Sequence, residues 1–308
     1  MTVRSTSESG RLHSISAVER DTGLSKDTLR VWERRYQFPL PDRDENGERV
    51  YTQAQIEKLR TLKRLIDRGH RPSKIIGRSL DDLLALVDPA PAPQAAPASP
   101  ETTTVIELLR AHRVADLRHE LGQALARQGL ARFCIETAGP ISHQVGEAWM
   151  RGQLEVFEEH LFTETMQGLL RSALASIPQP GRSPRVLLTT FPNEQHGLGI
   201  LMAEAMLSLE GANCVSLGTQ TPLWDIVLAA TTHRADVVAL SFSLAYPVSL
   251  AAEGLEELRA KVADKVEIWA GGSNPGLIRR AVAGVVALPD LEAIPTVVGR
   301  WRERRLNA

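Results

Sequence analysis

The spacing of apolar positions changes twice along the chain, and each change marks a different kind of structure. Near the N terminus the apolar residues come in short helical bursts. Ser16-Ala17-Val18-Glu19 has the spacing of a capping box, so a helix is expected to start about there. Gly23 supplies a turn, and Ser25 caps a second helix whose inner face is Leu29, Trp32 and Tyr36. Pro39 and Pro41 stop it. Arg43, the pair Asn46-Gly47 and Arg49-Val50-Tyr51 then predict a small hairpin with Asn46-Gly47 as its turn. An amphipathic helix follows over Thr52–Arg68.

The stretch Asp88–Pro100 has five prolines in thirteen residues, which excludes regular helix and favours a semi-stiff extended spacer. Over 101–180 the helical period returns, as in Val105–Arg110 and Leu161–Leu170, with turn signals at Gly129, Gly139-Pro140 and Pro178–Gly181. From residue 185 the pattern becomes short buried runs alternating with helices. The runs are Val186–Thr190, Asn213–Leu217, Val237–Ser241 and Val266–Ala270, the signature of a parallel sheet covered on both faces. The expectation is a multidomain chain. It has an all-α winged helix-turn-helix head (1–87), a Pro/Ala linker (88–100), a four-helix bundle (101–180) and a doubly wound, Rossmann-like α/β domain (181–308).

Composition narrows the class. Hydrophobic residues make up 43% and charged residues 24% of 308, as in a globular protein with real cores. There is no apolar run long enough for a membrane span and no signal-peptide core in the polar first 15 residues, so a cytoplasmic protein without a membrane partner is expected. Two distant cysteines, Cys134 and Cys214, argue against a disulfide framework or a structural zinc site and read as buried thiols. The net charge of −1 hides an asymmetry. Residues 1–80 hold 17 Lys and Arg against 11 Asp and Glu, whereas the remainder holds 19 against 26. A basic head on an acidic body points the head at a polyanion.

The second head helix carries Lys26, Arg30, Arg34 and Arg35, in position to enter a major groove and reach phosphates or base edges. The hairpin is expected to bring Arg43, Arg49 and Tyr51 to the phosphate backbone. Trp32 reads as core, and Arg34 and Arg35, beside Glu33, also fit a solvated face. In the α/β domain, Glu194-Gln195-His196-Gly197-Leu198-Gly199 follows the first strand, where ligands of doubly wound folds bind. A His there can offer a ring nitrogen to a metal, Glu194 can hold the other nitrogen, and Gly197 and Gly199 allow a bulky ligand to approach.

The residues Thr28–Tyr36, Pro39, Arg43 and Gly47–Tyr51 resemble the head of the mercury-resistance regulator (MerR) family, over roughly 12–80. The resemblance implies a transcriptional regulator of double-stranded operator DNA. The loop around His196 is similar to the Asp-x-His-x-x-Gly loop of cobalamin-binding domains, with Glu194 in the Asp position. It implies that His196 is the lower axial ligand of cobalt. Leu217-Gly218 with Pro222, Ser241-Phe242-Ser243-Leu244 and Gly271-Gly272 resemble further motifs around the nucleotide tail of that cofactor. In the second of these, Leu244 stands one place late against a Ser-x-Leu pattern. Trp149, nine residues and Glu159-His160 resemble the Trp-x9-Glu-His motif of the light-sensing, adenosylcobalamin-dependent MerR-family regulators of the CarH and LitR type. There the bundle covers the upper corrin face, so Trp149, Glu159 and His160 are implied in the upper pocket. Trp149 and Glu159 can share a face only if one helix continues through Gly152.

What the resemblance implies is a photoreceptor: a repressor of carotenoid or other photoprotection genes that binds operators as a homo-oligomer, dimer or tetramer, in the dark and lets go in light. One position departs. Some members carry a His directly after the Trp, and here it is Met150, which leaves open whether water, His160 or the Met150 thioether takes the freed position. Two rival readings follow. One is a cobalamin- or redox-responsive regulator without photochemistry, and the other is a regulator that works without the cofactor. An enzyme, such as a corrinoid methyl carrier, does not account for a DNA-binding head, and no acid–base pair or nucleophile arrangement suggests turnover.

Overall fold

The structure, a computed structural model, describes residues 12–67, 70–87, 100–178 and 182–306. Most of the predicted linker, 88–99, lies outside the described residues. The chain divides into two compact units, Met1–Pro93 and Gln94–Ala308. None of the described helices is long and apolar enough to cross a membrane.

In the first unit, β1 (His13–Ser14), α1 (Ile15–Thr22), α2 (Lys26–Tyr36), β2 (Asp42–Arg43), β3 (Arg49–Tyr51), α3 (Gln53–Asp67), α4 (Pro72–Ile75) and α5 (Leu80–Val87) follow in order. The helix-turn-helix is α1 and α2. Gly23 joins them in the left-handed region (φ 68°), and its N–H bonds to Glu19 O. Ser25 caps α2, accepting from Thr28 N at 3.1 Å. The cap of α1 is Ser14, not the Ser16 region: Ser14 is extended and its Oγ accepts from Ala17 N at 3.3 Å. That start puts Ile15 and Val18 together on the buried face. The head is not purely helical either. The antiparallel hairpin β2–β3 is joined by β1, giving a sheet of order β1-β3-β2. A two-residue strand carries too little periodicity to announce itself in sequence. Asp44 Oδ1 closes the predicted turn by accepting from Asn46 N and Glu48 N, both at 2.9 Å.

The second unit begins with helices. These are α6 (Pro100–Arg110), α7 (Val114–Gln128), a run of α8 (Leu130–Arg132), a π-helical segment Phe133–Ala138 and α9 (Gly139–Met150), and then α10 (Val156–Ala175). The predicted four-helix bundle corresponds to these four helical stretches. The sheet follows as β4 (Arg182–Thr189), α11 (Leu198–Leu209), β5 (Ala212–Ser216), α12 (Leu223–Thr232), β6 (Val237–Phe242), α13 (Val248–Lys261) and β7 (Glu267–Gly272). It ends with α14 (Pro275–Arg279), β8 (Val285–Ala287) and α15 (Ala293–Leu306). All paired strands run parallel in the order β5-β4-β6-β7-β8. The chain order reverses between β4 and β6, and in such sheets the crevice outside the strand ends at that reversal is the ligand site.

Alternation along β4 divides the core. Val186 and Leu188 join one cluster, and Leu187 joins the other. The first cluster runs without a break from the bundle (Leu109, Leu121, Phe162, Met166) through α11 to the sheet. Helix α11 lies between bundle and sheet, so Ile200, Leu201, Met202, Ala205, Met206 and Leu207 are all buried and its apolar surface is not confined to one stripe. The bundle and the α/β layer, expected as separate domains, thus share one core within one unit.

Candidate functional site

The loop after β4 and the loop after β6 meet at the topological switch point. Glu194, in the first loop, is 1% exposed. Its Oε1 accepts from His196 Nδ1 at 2.6 Å and from His196 N at 3.1 Å. Its Oε2 accepts from Ser243 N at 2.8 Å and Ser243 Oγ at 2.9 Å. Burial pushes the Glu194 carboxyl up, but the bonds from His196 and Ser243 outweigh it and hold the group below the usual carboxylate range. Glu194 is the acceptor of these bonds, so Nδ1 of His196 donates to it and Nε2 is the ring nitrogen turned away from the carboxylate. The His196 side chain remains 60% exposed while its far edge is pinned. A ring nitrogen fixed by a buried carboxylate on a largely exposed imidazole is the arrangement of a metal-ligating histidine. It also suits a corrin, which brings its own equatorial nitrogens and needs a single protein ligand.

The loop backbone is held from below. Thr190 Oγ1 donates to Glu194 O at 2.7 Å and accepts from Gln220 N at 2.8 Å, tying in the loop after β5. In that loop Gly218 is left-handed (φ 78°), and Thr221, beside Pro222, shares a 2.6 Å hydroxyl contact with Thr189. A methyl group on Gly197 would lie 3.3 Å from Thr219 Cγ2 and 3.8 Å from Gln167 Nε2 of α10, so the bundle borders the loop. A methyl group on Gly199 would come within 2.6 Å of Ser241 Oγ, so no side chain fits between α11 and β6 there. Gly272, at φ 125°, ends β7 and leaves no room for a Cβ against Phe242 O; Gly271 precedes it in the strand. Leu244, displaced in the sequence motif, is exposed, and it is Ser243 that engages the site.

On the bundle side, Trp149 is partly buried against the shared core, yet its Nε1 is a buried donor with no partner among the described residues. Such an orphan is costly unless a bound group satisfies it. Glu159 accepts from Thr163 Oγ1 at 2.8 Å and pairs with His160 Nδ1 at 2.8 Å. Trp149 and Glu159 do not share one helix, so the condition for their lying on one face is not met. Gly152 takes a left-handed conformation (φ 69°), α9 stops at Met150, and Glu155 caps α10 with a capping box.

In the head, Arg30, Arg34, Arg35 and Arg43 are exposed, and Lys26 is half-exposed, 3.8 Å from Glu19. Arg30 pairs with Asp27 at 3.1 Å. Arg49 is committed elsewhere: its Nε donates to Glu33 Oε2 at 2.8 Å, fastening the hairpin to α2, and that bond raises its pKa. Tyr51 corrects the sequence expectation. At 1% exposed it packs in the head core, because β3 is the central strand and His13 pairs across from it. The sequence reading passed over a cleft of about 420 Å³ where Arg35 and Tyr36 of α2 face Arg71 and Ser73. Both cysteines are free thiols; burial pushes Cys134 up to about 12 and Cys214 to about 11.

Comparison with known proteins agrees with this division. Residues 13–78 match the model of the MerR HTH family regulatory proteins. Residues 103–173 and 184–297 each match a B12 binding domain model. The HTH-type transcriptional repressor CarH of Myxococcus xanthus is 30% identical over 268 residues, 85% of this chain and 89% of that protein. The repressor CarA of the same organism is 30% identical over 229 residues, 74% of this chain and 75% of its own. The monomethylamine corrinoid protein of Methanosarcina barkeri superposes with a TM-score of 0.50 at 17% identity, covering 63% of this chain and 94% of that one, a likeness of fold. A MerR head, two B12-binding matches and a relationship spanning most of both chains make this chain a member of the CarH family of cobalamin-dependent transcriptional repressors, a regulator and not an enzyme.

Proposed function

We propose that the chain is a light-responsive repressor whose cofactor is adenosylcobalamin, and that His196 is the residue that would hold its cobalt. The observation that carries this is the buried Glu194 bridging His196 and Ser243 in a chain that also has a MerR head. When bound, the cofactor supplies a cobalt–carbon bond that visible light breaks. Glu194 fixes the imidazole tautomer and holds the ring in place. Gly197, Gly199 and Gly272 let the elements around the crevice at the strand ends pack closely, and Ser241 and Gly271 would line that crevice beside the nucleotide tail. Trp149, Glu159 and His160 form the bundle-side contacts, and the orphaned Nε1 of Trp149 gains a partner there.

The head binds operator DNA through Lys26, Arg30, Arg34 and Arg35 of α2 and Arg43 of the hairpin, with Arg49 orienting the hairpin through Glu33. Arg71, across a cleft from Arg35 and Tyr36, adds a cation beside α2. In darkness the loaded bodies associate as a dimer or tetramer, and joined heads gain effective concentration on repeated half-sites. Illumination favours the dissociated state and releases the operators of photoprotection genes.

The test is size-exclusion chromatography with absorbance on full-length protein mixed with adenosylcobalamin, before and after green light. A coloured dark oligomer that falls apart on illumination supports the reading. Met150, in place of a second imidazole after Trp149, favours a second reading: a cobalamin sensor without photochemistry. Bound colour with no change of size in light would select that reading.

A further inference from the structure

We propose that Asn274 is a positioning residue for His196, acting through the turn after β6. The inference rests on the reading of His196 as the cobalt ligand and extends it to a residue outside every motif around the site.

Two of the four hydrogen bonds on the Glu194 carboxylate come from Ser243, so the aim of His196 depends on where Ser243 sits. Ser243 is in no regular element: β6 ends at Phe242 and α13 begins at Val248. The intervening turn is closed by Tyr246 N donating to Ser243 O at 3.2 Å. Two of its carbonyls converge on one side chain. Asn274 Nδ2 donates to Tyr246 O at 2.9 Å and approaches Ser243 O at 3.5 Å. The other end of the same amide accepts from Gly276 N at 3.0 Å and caps α14. Asn274 is 9% exposed, so solvent does not readily replace it. A short amide offers a donor to the turn and an acceptor to the helix on two separate atoms.

The approach of β7 to β6 brings Asn274 to this spot. At Gly272 the two backbones are so close that no Cβ fits, and the chain passes on directly to Ser273 and Asn274. A second strap runs the other way, with Tyr246 Oη donating to Pro192 O at 3.3 Å. Asn274, the Ser243–Tyr246 turn, Glu194 and His196 thus form one continuous chain across the ends of β7, β6 and β4.

The test uses full-length Asn274→Ser and Asn274→Asp. Both keep an oxygen able to cap α14; Asn274→Asp has no donor for the turn, and Asn274→Ser has only a hydroxyl one bond nearer the backbone, which does not reach cap and turn together. In the apoprotein, hydrogen exchange at the His196 amide, which donates to Glu194, should become several-fold faster. In protein labelled with 15N-histidine and loaded with cob(II)alamin, the 15N splitting in the electron paramagnetic resonance spectrum reports histidine on cobalt, because the cofactor's own base nitrogen stays 14N. The histidine-on fraction should fall, and affinity should drop by about tenfold, the lower end for losing a partner behind a metal ligand. Ser243→Ala should produce a similar loss, and the Ser243→Ala/Asn274→Ser double variant should lose little more than either single. Unchanged exchange and splitting in both Asn274 variants, or additive losses in the double, would overturn the inference. His196→Ala separates the two levels. If its splitting matches wild type, the ligand assignment itself fails; if it alone loses the splitting, the assignment stands and the role of Asn274 falls.

Discussion

The two sides of the proposed cobalamin site are built differently. On the sheet side, Glu194, His196 and Ser243 form a closed set of hydrogen bonds, all on loops fixed by parallel strands, before any ligand is considered. On the bundle side, Trp149 and Glu159 sit on separate helices joined by a turn through Gly152, and a buried donor is unsatisfied. The sheet side is preorganised, and the bundle side is completed by what it binds. A sensor gains from this asymmetry: a rigid half keeps the cofactor, and an unfinished half can register whether the upper group is present.

Substitutions test the contrast, beginning with the largest effect. His196→Ala removes the single ligand of the rigid half. Cobalamin affinity should fall by about 100-fold or more, beyond the 10–100-fold typical of losing a supporting partner, in an equilibrium titration followed by absorbance. An affinity near wild type would mean the sheet side is not the anchor.

Glu194→Gln should weaken cobalamin by about 10–100-fold. It should also destabilise the apoprotein by about 1–3 kcal/mol, because Ser243 and His196 donors lose a buried charge. Denaturant unfolding without cofactor reads that second effect, and its absence would deny that the loop is preformed.

Trp149→Phe should show the opposite pattern. Apoprotein stability should stay within about 1 kcal/mol, since an orphaned donor leaves together with some packing. Adenosylcobalamin affinity should nevertheless drop several-fold. A large loss of apoprotein stability would make Trp149 an ordinary core residue.

The smallest effect concerns Glu204, ten residues after Glu194 on α11. Burial raises its pKa, and Arg171 and Ser216 only partly offset this. Its folded pKa lies above the unfolded one, so the stability it lends in acid is lost as pH rises through that folded value. Glu204→Gln should therefore stabilise the protein slightly at neutral pH, by less than about 1 kcal/mol, and the gain should vanish in acid. A gain of equal size at both pH values would show that charge burial is not the cause.

Much of this organisation is legible in the residues. Gly23 and Ser25 announce the helix-turn-helix, Asn46-Gly47 announces the hairpin, and the apolar runs announce four of the five sheet strands. Strand β8 was missed because three half-exposed residues carry no alternation strong enough to read. The pair Glu194 and His196 was visible because both lie in one loop. Ser243 was visible only as part of a motif that did not quite fit, and Asn274 was not visible, since its partners are 28 and 31 residues away. Tyr51 was misjudged because an aromatic beside arginines on a hairpin reads as surface until the third strand makes its own strand central.

Local chemistry thus settled the order of elements, the head motif and the candidate ligand, because caps, turns and periodicity act over a few residues. The tertiary structure decided the rest. It joined bundle and sheet in one core, gave Glu194 its partners from a second loop, separated Trp149 from Glu159, and took Tyr51 off the DNA-facing surface. Each of these depends on which distant segments exclude water together, and that is a property of packing, not of sequence neighbours.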